Sequence, residues 1–205
     1  MCVGSGGAKL KMDGDKFGNM MGHSNGAMDY VWTQSTGQMT LFPSNGYSTL
    51  PSADTSWWGT SSVIFDPPAL VGKNLDRRDL HLVDWDGDGA TDIVWVDPGN
   101  QNRVQLWRNR IKETGSFNWA YNSNPAPSLS CAQSRGVGIF DLAVRFADIT
   151  GSGRPDYLCI EKNGRVSGST QDASGTWTSH TQIKVETFMD RANLQVSYQT
   201  FLGYR

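Results

Sequence analysis

Asp84-Trp85-Asp86-Gly87-Asp88-Gly89-Ala90-Thr91-Asp92 is the stretch on which the reading of this chain turns. Asp84, Asp86, Asp88 and Asp92 fall at positions 1, 3, 5 and 9 of the loop. Gly87 and Gly89 allow the backbone to turn so that alternate side chains converge. Carboxylates gathered this closely repel one another unless they take up protons or a cation. Calcium takes 6–8 hard oxygen ligands at about 2.3–2.6 Å, often with a backbone carbonyl among them. Ala90, at position 7, is placed to supply that carbonyl. Magnesium demands a stricter octahedron and keeps more of its water. The loop has no His or Cys, which argues against zinc.

Outward from the loop, the pattern recurs. Gly22-His23-Ser24-Asn25-Gly26-Ala27-Met28-Asp29-Tyr30-Val31-Trp32 precedes it, and Thr150-Gly151-Ser152-Gly153-Arg154-Pro155-Asp156-Tyr157-Leu158-Cys159 follows it. Each copy has Gly, two residues, Asp and an apolar run. The anchoring glycines are Gly26, Gly89 and Gly153, so the intervals are 89 − 26 = 63 and 153 − 89 = 64. After each Asp comes a short strand, a turn rich in Gly and Asn, and a return strand, which is hairpin grammar. The strands fall at Tyr30 to Thr33, Ile93 to Val96 and Tyr157 to Ile160. The return strands fall at Gln38 to Phe42, Arg103 to Trp107 and Arg165 to Ser169. Entry strands read clearly before the second loop (Asp79 to Val83) and the third (Leu142 to Phe146), but not before the first. Units of four strands in about 60 residues suit propeller blades, whose faces are buried by stacking on one another. The expected fold is all-β, a partial β-propeller of about three four-stranded blades. An EF-hand also begins D-x-D-x-D-G, but it needs a Glu at position 12 and flanking helices. Position 12 here is Trp95, inside an apolar β-like run.

The copies differ in chemistry. The third loop offers Asp148, Thr150, Ser152 and Asp156, with only two carboxylates, so weak or absent cation binding is expected. The first, aligned without gaps, offers Met21, His23, Asn25 and Asp29 and is expected to bind nothing. The expected organisation is a poorly defined N-terminal segment over 1–19, repeats over 20–196 and an atypical tail over 197–205. Asp190 to Val196 resembles the entry to the second unit. A fourth acidic loop should then open near Tyr198, but the sequence there lacks one.

Composition excludes several function classes. The 205 residues are 38% hydrophobic and 19% charged, with 23 Gly and a net charge of -2. Basic runs are absent, so no nucleic-acid footprint is visible. No apolar stretch is long enough for a membrane-spanning helix. The start lacks the apolar segment of a signal peptide. Three cysteines, Cys2, Cys131 and Cys159, allow a Cys131–Cys159 disulfide with Cys2 free, and equally two buried thiols. Gly22-His23-Ser24-Asn25-Gly26 fits the nucleophile pattern G-x-S-x-G, but that elbow needs a strand before it and a helix after it. A decayed repeat loop explains the same residues, so no catalytic residue is assigned. Among the eight Trp, Trp57, Trp58, Trp107 and Trp119 are candidates for stacking on a ligand such as a sugar. Recurrence at similar repeat positions favours packing between blades.

Asp-x-Asp-Gly-Asp-Gly-x-x-Asp followed by Ile93-Val94-Trp95-Val96 resembles the FG-GAP/VCBS repeat of integrin-α-type β-propellers. The likeness runs roughly from Met20 to Val196. Asn74 to Gly89, Phe117 to Tyr121 and Phe146 to Gly151 also resemble the C-terminal repeats of large secreted fungal proteins. In many of those an SGNH (GDSL-type) hydrolase domain precedes the repeats. The resemblance implies a propeller with Ca2+ in its blade loops, secretion, and an adjacent catalytic domain in a parent chain. It leads to the expectation of a non-catalytic calcium-binding module with a binding or scaffold role and a glycan or protein ligand. The alternatives are an accessory region of an SGNH-type esterase and a lectin-like module.

Overall fold

A computed structural model describes residues 14–46, 57–66, 77–97, 100–129, 131, 144–160 and 165–184. The expected C-terminal features, from Asp190 onward, lie outside the described residues, as does Cys2.

The described residues are all-β and form three four-stranded antiparallel sheets, each built from consecutive strands. The first has β1 (Asp15–Gly18), β2 (Asp29–Thr33), β3 (Met39–Phe42) and β4 (Ser62–Phe65), in that order. The second has β5 (Leu80–Val83), β6 (Asp92–Asp97), β7 (Arg103–Asn109) and β8 (Trp119–Asn122). The third has β9 (Val144–Ala147), β10 (Asp156–Ile160), β11 (Val166–Gln171) and β12 (Trp177–Lys184). Short hairpins give sequential neighbours, so each repeat becomes one meander. One helical turn, α1 (Ile111–Thr114), follows β7 and ends at Gly115, whose φ of 73° is the left-handed stop that glycine adopts easily.

Side-chain alternation explains the burial. In β2, Asp29, Val31 and Thr33 point to a buried face, while Tyr30 and Trp32 point the other way. In β6, Asp92 to Val96 are buried on both faces, as an uninterrupted apolar run requires. The same holds for Asp156 to Cys159 in β10.

Contacts divide the chain into two compact units. One comprises Met1–Leu82, Gly89–Val94 and Trp107–Ala120, and the other Val83–Asp88, Trp95–Leu106 and Tyr121–Arg205. In the first, Phe65 of β4 meets the rings of Trp107 and Trp119 edge-on at 5.2 and 5.5 Å. Trp119 Nε1 donates to the Ile64 carbonyl at 2.9 Å. In the second, Trp177 Nε1 donates to the Pro125 carbonyl at 3.0 Å, and the Tyr157 hydroxyl donates to the Asn102 carbonyl at 2.7 Å. Cys131 and Cys159 are disulfide-bonded across a sequence separation of 28.

The first repeat departs from the ungapped alignment. It has an entry strand, β1, within the segment 1–19. Gly18 pairs with Asp29 as Ala147 pairs with Asp156. The first loop therefore spans 29 − 18 = 11 steps, and the third 156 − 147 = 9. Two extra residues place Asn19, not Met21, at the loop's first position. The hydrophobic signal for β1 was weak because Asp15 and Phe17 are exposed and Gly18 contributes no side chain.

Candidate metal centre

In each repeat the Asp that opens the second strand ties the loop to the return strand. Asp29 Oδ1 accepts from Ser44 N at 2.7 Å and its Oδ2 from Met21 N at 2.9 Å. Asp156 Oδ1 accepts from Gln171 N at 2.7 Å and its Oδ2 from Ile149 N at 2.8 Å. Asp92 Oδ1 accepts from Asn109 N at 2.6 Å. All three aspartates are buried. Buried carboxylates are tolerable when backbone amides satisfy their oxygens. Position 9 is thus a structural clasp as well as a sequence-level ligand candidate, a role that a carboxylate count alone does not suggest.

The second loop gathers the other three. Asp84, Asp86 and Asp88 are half-buried and each brings one carboxylate oxygen to a cluster in which all lie within 4.8 Å of one another. Opposite oxygens of a calcium sphere stand about 4.6–5.2 Å apart, twice the metal–oxygen distance. The donor set, all hard oxygen, suits that ion. Oδ1 of Asp84 and Oδ1 of Asp86 are sealed from solvent. Gly87 and Gly89 hold φ values of 73° and 86°, which is how the alternate side chains are brought to one side. Trp85, between two of the carboxylates, is buried against Phe146 and Trp177, with ring centroids at 5.9 and 5.5 Å. A ring locked this way fixes the backbone on which the acids are carried.

The far side of the loop is held by asparagines. Asn19 Nδ2 donates to the Gly89 carbonyl at 2.8 Å, and Thr91 N donates to the Asn19 carbonyl at 2.9 Å. Asn109 Nδ2 donates to the carbonyls of Met20 (2.8 Å) and Thr91 (3.2 Å). Ala90 is fully buried beside them. The sequence offered no signal for Asn109. Its backbone N–H makes the contact to Asp92, and the corresponding residues in the other repeats are Ser44 and Gln171.

The third loop has the same frame with different bonding. Asp148 turns its carboxylate onto its own backbone. Oδ2 accepts from Gly153 N at 2.8 Å, and Oδ1 from Gly151 N (2.7 Å) and Ser152 N (3.0 Å). The Gly153 amide above all, with those of Ser152 and Gly151, holds the Asp148 carboxyl below the usual aspartate range. Thr150 Oγ1 bonds Asp148 Oδ1 at 3.4 Å, and Ser152 Oγ bonds the Arg154 carbonyl at 3.3 Å. Among the described residues, the acidic cluster with metal spacing is that of the second loop. In the first loop, Asn19 plays the part of Asp148: its Oδ1 accepts from His23 N at 2.6 Å.

The candidate aromatics separate. Trp107 is buried, and Trp119 is half-buried and hydrogen-bonded to Ile64. Trp58 pairs with Ser44 as Trp177 pairs with Gln171, so Trp58 is the repeated tryptophan and Trp57, which is exposed, is not. The G-x-S-x-G segment runs directly into β2, and His23 Nε2 lies 3.1 Å from Asp29 Oδ1.

Three consecutive four-stranded antiparallel meanders, each with an Asp-clasped loop between its first two strands, define a module of propeller-blade repeats. Residues 84–159 match the family model of the FG-GAP-like repeat, a span that runs from the first carboxylate of the second loop to Cys159 of β10. Among solved structures, a chain of the Photorhabdus luminescens Tc holotoxin pore is similar at 18% identity with a TM-score of 0.43. The likeness covers 75% of this chain and 6% of that one, so this chain spans a small fraction of that protein's length. No curated protein sequence matches. No helix among the described residues is long and apolar enough to cross a membrane.

Proposed function

We propose that this chain is a non-catalytic scaffold module in which the second loop binds one structural Ca2+ through Asp84, Asp86 and Asp88. Asp92 and the Ala90 carbonyl complete the proposed set. The observation that carries the reading is the convergence of three half-buried carboxylates within 4.8 Å on a loop pinned at both ends. Neutralising that charge favours the folded loop, so the ion stabilises the fold by mass action. The calcium acts as a brace and no reaction is assigned to it. The Cys131–Cys159 bond supports an oxidising, extracellular setting, where disulfides persist.

Thermal unfolding with and without calcium tests the proposal. Calcium at a hundredfold excess over its Kd should stabilise the chain by about 2.7 kcal/mol, reversibly with chelator. Asp88→Ala should abolish the response, and Asp148→Ala should leave it intact. A folded chain whose melting temperature ignores calcium would sink the reading.

A further inference from the structure

The turn between β6 and β7 carries a side chain that its own geometry does not require. Arg103 N closes it by donating to the Asn100 carbonyl at 2.9 Å. Gln101 and Asn102 hold φ values of 52° and 56°, the left-handed pair that such a hairpin turn demands. Glycine meets that demand with the least strain, and the other repeats use it. Ser44, Asn109 and Gln171 hold one common place, since the backbone N–H of each reaches a clasping aspartate. The offsets are 109 − 44 = 65 and 171 − 109 = 62, so in sequence the counterparts of Asn102 are Gly37 and Gly164. Gly37 has a φ of 87°. The second repeat therefore has a carboxamide where the backbone needs none.

That carboxamide is buried and directed at a cysteine. Asn102 Nδ2 commits both hydrogens, one to the Leu129 carbonyl at 3.0 Å and one to the Cys131 carbonyl at 2.9 Å. The Asn102 carbonyl in turn accepts from the Tyr157 hydroxyl at 2.7 Å. Tyr157 is wholly buried, and burial pushes its pKa up, which keeps the proton on the donor. Tyr157 stands two residues before Cys159 on β10, and Cys159 is bonded to Cys131. The connection thus leaves β10 at Tyr157, passes through Asn102 to Cys131, and returns to β10 through the disulfide. All of its members lie in the second compact unit.

We infer that Asn102 is the positioning residue of a thiol–disulfide couple, in which Cys131 takes a mixed disulfide from a small disulfide oxidant and Cys159 resolves it. Cys131 is half-buried and Cys159 fully buried, so the oxidant reaches Cys131 Sγ first. The Cys131 thiolate attacks one sulfur of the oxidant, and the other sulfur leaves as a thiolate and takes up a proton. The Cys159 thiolate then attacks Cys131 Sγ, and the second half of the oxidant leaves in the same way. Two protein thiols are oxidised, one external disulfide is reduced, and the two protons end on the released thiols. The hydrogen bonds from Asn102 involve carbonyls and no sulfur, so they hold Cys131 beside Cys159 in the reduced chain as well. This goes beyond the calcium reading and does not depend on it.

Equilibration of the full chain, carrying Cys2→Ser, with reduced and oxidised glutathione tests the inference. The glutathione ratio that leaves half of the pair oxidised gives the effective concentration of one thiol at the other. Asn102→Gly keeps the backbone of the turn and removes the carboxamide, and it should lower that concentration at least about tenfold. Asn102→Asp loses both donors and sets an oxygen against two carbonyls; it should lower the value at least as far, and it carries the test if Asn102→Gly does not fold. Tyr157→Phe removes a hydrogen bond from the same circuit but spares the carboxamide, and should lower the value less than about threefold. With Cys159→Ser, mass spectrometry should find glutathione on Cys131, whereas with Cys131→Ser it should find Cys159 unmodified over the same time. A folded Asn102 variant whose couple matches the wild type, a Tyr157→Phe effect as large as that of Asn102→Gly, or glutathione on Cys159 would each overturn the inference.

Discussion

The second and third loops share one backbone frame and answer the same electrostatic problem in opposite ways. The second collects Asp84, Asp86 and Asp88 around a common point. The third has Thr150 and Ser152 at the corresponding positions, and Asp148 folds back to accept three of its own amide N–H groups. A carboxylate turned on the backbone needs no cation; three turned on one another repel unless they take up protons or a cation. The comparison teaches that the frame is set by the glycines and the position-9 aspartate, while the loop's central side chains set how much negative charge it gathers.

The largest expected effect falls on what the loops share. Asp156→Ala removes two charge-assisted bonds from a buried site and strands the amides of Ile149 and Gln171. A loss of about 3 kcal/mol or more is expected in denaturant unfolding, with or without calcium. A loss under about 1 kcal/mol would break the claim that the clasp carries the frame. The calcium response comes next, at about 2.7 kcal/mol for a hundredfold excess over Kd, and it should depend on Asp88 and not on Asp148.

A glycine pair separates the loops more finely. Gly87 and Gly151 share φ values of 73° and 75°. A Cβ at Gly87 would stand 2.7 Å from the Gly153 carbonyl oxygen, whereas one at Gly151 would meet nothing. Gly151→Ala should cost about 1 kcal/mol, from backbone strain alone. Gly87→Ala should cost about 2 kcal/mol, adding the clash. Equal costs would show that the two loops relax independently.

The smallest effect is the acid titration of Asp148. Its carboxyl is held below the usual aspartate range, chiefly by the Gly153 amide. Its contribution is therefore fully present above the unfolded pKa and is lost as pH falls through the lower folded value. A carboxyl NMR titration should find its midpoint below that of an ordinary aspartate; a midpoint at or above it would refute the capped geometry.

Much of the fold was legible in the sequence because period-2 patterning and Gly-rich turns are local signals. The run Ile93 to Val96 announced a strand, and Trp95 at position 12 excluded an EF-hand. The first loop was misaligned because Gly26 and Asp29 keep their spacing, so an ungapped comparison lands on Met21. Only the pairing of Gly18 with Asp29 reveals the two extra residues and puts Asn19 at the first position. The clasp was hidden for a different reason: its donors are backbone N–H groups, which any residue supplies. Spacing raised Asp84, Asp86 and Asp88 as ligands, but their convergence depends on how Trp85 is seated among Phe146 and Trp177.

The clasp has one more consequence. Closure of each hairpin and the proposed capture of an ion reside on different atoms of the loop, so they can fail separately. A repeat that exchanges Asp for Thr or Ser at positions 3 and 5, as the third has, keeps its strands in register. Two further residues can enter, as in the first, and the hairpin still closes. Such a module tolerates the erosion of its charges copy by copy, and one well-kept acidic loop can sit among neighbours that have become purely architectural.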